Sequence, residues 1–260
     1  QLGGSASISH QSKISHSSAS LAGGCLFAST GVLSLSHGCL ISHSRANQNG
    51  GMIACLLSVL IVNNCTIERS TLSETVDGGG AIWLRVASYC AISNYSTIAH
   101  SAAFGESSEG GAIYLSASTL EMSLGCRILH SKAANGGAIF VNAGTLRVAD
   151  GCVIANSSAT RNGGAMHITS GSVRISGGSK ILDSTAESLA GAFYITSGVV
   201  LLTDGVMVAH SKGTWVGGAM YALDSTVTIR NGCVISTSDA SVGGALNLVN
   251  TIFVMTTGST

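Results

Sequence analysis

The 260-residue chain contains no proline, and only 9% of its residues are charged. Aromatic residues make up 5%. Twelve basic and twelve acidic residues cancel to a formal net charge of zero. A typical soluble domain is about one-quarter charged, so much of this surface faces another surface, is glycosylated, or is covered by Ser and Thr. The balance of charge excludes the basic stripe that nucleic-acid binding needs. No run of about 18 apolar residues exists, which excludes a transmembrane helix. The missing signal peptide and initiator Met fit a processed chain or a piece of a longer one. What is abundant is glycine, with 34 residues.

The glycines are periodic, the signature of a repeat architecture. A Gly-Gly-Ala-like step recurs with its second glycine at Gly24, Gly51, Gly80, Gly111, Gly137, Gly164, Gly191, Gly218 and Gly244. Most intervals are 26 or 27 residues, and two are 29 and 31. An apolar residue followed three later by Ser recurs in phase, from Ile14/Ser17 through Ile98/Ser101 and Ile154/Ser157 to Ile235/Ser238.

Each repeat holds three alternating segments. The first is represented by Ile82/Leu84 and Ile139/Val141, the second by Leu120/Met122 and Val173/Ile175, the third by Cys126/Ile128 and Cys152/Ile154. Alternation over four to six residues means a strand with one buried face. Asp150-Gly151, Asp204-Gly205 and Asn231-Gly232 supply turns between the second and third. Three short strands per turn, with no segment long enough for a crossover helix, predict an all-β, right-handed parallel β-helix of about nine coils. A propeller blade would need four strands in roughly 40–45 residues. Stacking also explains the missing proline, because each residue must donate to a neighbouring coil. At roughly 4.8 Å per coil the rod is about 43 Å long. The whole of 1–260 is read as one solenoid, a segment of a longer β-helical chain, because neither end shows a cap over its strand edges.

With Gly-Gly-Ala steps ending at Ala81, Ala112, Ala138, Ala165, Ala219 and Ala245, the chain resembles the polymorphic outer-membrane-protein repeats of chlamydial surface adhesins. Where that family has Phe-x-x-Asn, this chain has Ile/Val-x-x-Ser. The resemblance implies a β-helical surface protein.

Stacked coils turn equivalent positions into ladders. One outward column reads Phe27, Ala54, Trp83, Tyr114, Phe140, His167, Tyr194, Tyr221, Asn247, and it holds six of the twelve aromatics. It predicts an exposed stripe that packs on another protein, binds sugar rings, or only stiffens the sheet. His16, His43, His100, His130 and His210 share another column with Arg69, Asn156, Asp183 and Thr237, so no fixed metal-ligand set is kept. These are read as polar residues at a bend, with zinc as the sharper alternative. Cys39, Cys65, Cys126, Cys152 and Cys233 form an inward column that Ser and Val also occupy. They are read as free thiols or as inter-coil bridges. Longer corner loops at 71–77 and 102–109 carry Glu74, Asp77, Glu106 and Glu109, a solvated bulge or a Ca²⁺ patch. Asn64, Asn94 and Asn156 head N-glycosylation triplets.

No nucleophile, base and orienting acid recur together, so the chain is read as a non-enzyme with no cofactor and no metal. The expected function is a structural or adhesive element of an extracellular or cell-surface assembly. Its expected partners are other protein subunits, copies of itself, or glycans. A polysaccharide lyase or hydrolase is the alternative, with Arg147, Asp150 and Arg174 as the nearest approach to a site. Ice binding, which needs a regular Thr array, is the third.

Overall fold

The computed structural model describes residues 4–73, 78–256 and 258–260. It is a parallel β-solenoid of about nine turns, with no helix among the described residues. One difference from expectation is the number of strands per coil, which is four. The first sheet has nine strands, such as Ile82–Arg85. The second has ten, such as Tyr89–Ser93, and the third nine, such as Thr97–Ala99. The fourth has eight, such as Ala102–Ala103. Most fourth-sheet strands are only two residues long. That is too short to show a period, so the sequence hides them inside the corner loops.

Register is strict. Ile82 pairs with Ile113, then Ile113 with Ile139, then Ile139 with Met166. A slip of one residue would move the apolar set outward. The inward columns build one core from the first three sheets, including Ile82, Leu84, Cys90, Ile92 and Ile98. Corner residues also bond between coils, as in Ala112 N to Ala138 O (2.9 Å), His130 N to Ala155 O (3.1 Å) and Asn156 N to Leu182 O (3.2 Å). Donation continues around the bend, which is the physical reason proline has no place in the coil.

The Gly-Gly step now has a cause. Its first glycine sits at a left-handed turn, for example Gly163 at φ 65°. Its second lies flat on the next coil. A Cβ on Gly164 would stand 2.3 Å from Gly191 O and 2.3 Å from Thr185 O, the latter on a fourth-sheet strand. The period of the motif therefore records a backbone-on-backbone contact between coils.

The cysteine column is explained as well. Cys39, Cys126 and Cys233 donate to the carbonyl three residues back at 2.9, 3.0 and 3.1 Å. Ser96 and Ser179 do the same at 2.6 and 2.7 Å. Thiol and hydroxyl interchange because either one satisfies that carbonyl. All eight cysteines are free. Cys126 and Cys152 face each other on adjacent coils. Hydrogen bonding between them pushes the Cys126 thiol down and the Cys152 thiol up.

Candidate functional site

The aromatic column is one ladder in the first sheet, in register from Phe27 to Asn247. It points away from the main core, as alternation requires. The structure corrects its expected exposure. Trp83, Tyr114 and Phe140 are 6%, 2% and 4% exposed and form a second apolar cluster with Ala54. Ala22 and Leu56 pack against that cluster. Tyr194 and Tyr221 are half-buried, and only Phe27 stands open at 57%. Through most of its length the column packs within the chain.

Five rings run continuously through this ladder. Tyr114 and Phe140 stack at 5.7 Å between centroids, and Tyr194 and Tyr221 at 5.3 Å. His167 lies between the two pairs, 4.7 Å from Phe140 and 4.6 Å from Tyr194. Its Nδ1 is buried and has no hydrogen-bond partner, although the residue keeps a partly exposed edge. Burial pushes its pKa from 6.5 down to about 4.

The folded state holds His167 neutral, whereas the unfolded chain takes up a proton as pH falls through 6.5. Stability from this residue is therefore complete above pH 6.5 and is lost as pH falls toward 4. The gap corresponds to at most about 3 kcal/mol, reduced by the exposed edge. His167→Phe is expected to flatten the profile across that window. Urea midpoints of both proteins at the two ends of the window measure it, and parallel profiles would refute the assignment.

The second histidine column lies at the corner between the third and fourth sheets. From His16 to Thr237 every member has φ between 49° and 58°. Left-handed backbone favours His, Asn and Asp, so the column is a conformational requirement that several polar residues satisfy. Its neighbours pair locally. His16 stacks on His43 at 4.9 Å and His100 on His130 at 4.8 Å. His210 Nδ1 meets Asp183 at 3.2 Å, and Arg69 Nη1 lies 3.0 Å from His43 Nε2. The anchor serines beside these corners are buried from Ser44 to Ser211 and half-buried at Ser17 and Ser238. Several donate to the carbonyl two residues back, as Ser44 does to Ser42 O at 3.2 Å. Ser70, Ser131 and Ser211 have no partner for their hydroxyls.

A hydroxyl ladder at the corner between the first and second sheets was not read from the sequence. Ser58 N donates to Ser88 Oγ at 3.2 Å, and Ser88 N to Ser118 Oγ at 3.1 Å. Gly144, Gly171 and Gly198 continue the column before Ser225. That mixture concealed the ladder.

The charged cluster lies on the flat outer face of the second sheet. Arg147 pairs in register with Glu121 and Arg174. Glu121 accepts from Tyr89 Oη and from Arg147 Nη1, both at 2.8 Å. Those two donors hold its carboxyl below its ordinary value. A general acid needs the opposite shift. Arg174 reaches Asp204 at 3.9 Å. Asp150 is part of the neighbouring left-handed turn, at φ 56°. These charges are engaged mainly with one another.

The acidic bulge is described only in part. Glu74 and Asp77 lie outside the described residues. Glu106 is exposed, and Glu109 bridges to Asn135 through the backbone. Of the three glycosylation triplets, Asn64 and Asn156 stand exposed at corners. Asn94 is half-buried, and its Nδ2 donates to Asn63 Oδ1 at 3.1 Å. No protein-family model, curated protein or solved structure matches the chain.

Proposed function

We propose that the chain is a rigid structural or adhesive rod of an extracellular or cell-surface assembly, bound side-on to other protein subunits or to copies of itself. The observation that carries this reading is the outer face of the ten-stranded second sheet. Toward both ends of the rod its outward positions carry Val and Ile among Ser and Thr. Val32, Ile61, Val199, Ile252 and Val254 are 41%, 36%, 52%, 66% and 42% exposed. The polar cluster of Glu121, Arg147 and Arg174 occupies the middle. A flat β-branched face suits packing against a second flat sheet at roughly 10 Å. Exposed apolar patches of this kind mark interfaces. The Gly-Gly-Ala steps support a kinship in kind with β-helical surface adhesins, and that kinship is part of the proposal.

A second reading is binding of an acidic polysaccharide along Arg147 and Arg174, which adjoin on neighbouring strands. Ice binding is weaker, since Thr119, Thr145 and Thr226 share their column with Tyr89, Ser172 and Val199.

Sedimentation velocity of the full chain tests the main reading. Concentration-dependent association is expected, and Ile61→Lys with Val199→Lys is expected to remove it. Exposed substitutions of this type leave fold stability within about 0.5 kcal/mol. Dispersed monomers at all concentrations would sink the proposal. Retention on an acidic polysaccharide that Arg147→Gln abolishes would favour the second reading.

A further inference from the structure

We infer that His10 and His37 form a surface chelate for a borderline divalent cation of the zinc, nickel or copper type. The two residues occupy the same left-handed corner on successive coils, both at φ 58°. Gln11 N donates to His37 O at 2.8 Å and ties the corners together. Both side chains are exposed. Their rings lie parallel, 3° apart in plane and 5.1 Å between centroids.

What separates this pair from the other stacked histidines is how each ring is held. Ser9 Oγ lies 2.8 Å from His10 Nδ1, and Ser36 Oγ lies 2.9 Å from His37 Nδ1. The same hydroxyl contact is thus repeated on both coils. A metal-binding imidazole ordinarily donates its second ring N–H to an oxygen, which fixes the tautomer and aims the other nitrogen. In the metal-bound form each serine accepts from Nδ1, which leaves the Nε2 lone pair of each ring for the ion. At the pair His16 and His43, the Arg69 guanidinium lies against His43 Nε2 and repels a cation. At His100 and His130 the preceding residues are Ala99 and Leu129, which have no hydroxyl.

The dimensions define the kind of site. In a tetrahedral shell, metal–nitrogen bonds of roughly 2.0–2.1 Å set two nitrogens about 3.3 Å apart. The ring edges must therefore tilt together by about 2 Å, a torsional adjustment of exposed side chains. Among the described residues no three metal-ligating side chains converge, so the chelate has two protein ligands and water completes the shell. Imidazole pairs of this sort suit zinc, nickel and copper over calcium or magnesium. Because the ligands come from different coils, the ion clamps one coil to the next, and binding stabilises the folded solenoid by mass action.

Zn²⁺ titration of the full chain, followed by imidazole ¹H–¹⁵N NMR, tests this. The Nε2 signals of His10 and His37 are expected to shift together with one shared affinity. His37→Asn keeps the corner, since Asn64 fills it one coil on at φ 52°. That variant is expected to weaken binding by roughly tenfold or more. Asn64→His, which adds a third ring to the column, is expected to tighten it. Zn²⁺ that leaves either signal in place, or binds the His37→Asn variant with unchanged affinity, overturns the inference.

Discussion

Gly164→Ala is expected to cost at least about 3 kcal/mol and to lower the urea midpoint of the whole chain. The new Cβ would stand 2.3 Å from two backbone oxygens and 2.6 Å from a third backbone atom, all on the next coil. No flexible side chain is there to give way. The φ of Gly164 is not in the left-handed region, so the penalty is steric. Coils contact only their neighbours, so a lost interface exposes two new ends and the damage spreads.

Two companion variants isolate the cause. Gly244→Ala changes the same column in the last turn, where the Cβ would meet only Ser238 O at 3.7 Å. That substitution is expected to stay within about 0.5 kcal/mol. Gly151→Ala has open space around it but a φ of 72°. Its expected cost is about 1–2 kcal/mol, from backbone strain alone. Equal losses at Gly164 and Gly244 would refute close approach of coils as the reason for the repeat.

Phe140→Ala is expected to cost about 3–5 kcal/mol, the range for a buried aromatic. An outward-facing residue on a β-solenoid would ordinarily cost little. The difference arises because Phe140 is 4% exposed and sits between Tyr114 and His167. Phe27→Ala, in the same column but 57% exposed, is expected to cost less than about 1 kcal/mol. Denaturant unfolding measures both. A second readout comes from His167. Removing the ring beside it admits water, so its pKa is expected to rise from about 4 back toward 6.5. If the two substitutions cost the same, the ladder is not a second core.

The solenoid was legible in the chain because its determinants are local and repeat in phase. Alternation in Ile82/Leu84 or Val173/Ile175 marks an inward face whatever covers the outward one. Asp150-Gly151 announces its turn through its own backbone preferences. The columns follow from the interval alone, so Trp83, Tyr114 and Phe140 could be placed side by side before any coordinates.

Exposure was not legible, because it depends on what lies over a residue. Trp83, Tyr114 and Phe140 alternate correctly and are still buried, while Phe27 at the same position is open. The fourth strand was hidden for a related reason, since Ala102–Ala103 is defined by its partners above and below and not by any period of its own. Ring orientation at His10 and His37 likewise depends on a serine hydroxyl and on a second ring one coil away. The period, the inward columns and the parallel stack are written in the chain, because backbone preference and side-chain alternation set them. Which outward residues are sealed and which imidazoles stand exposed depends on the folded stack, because burial and orientation are properties of neighbours about 27 residues away.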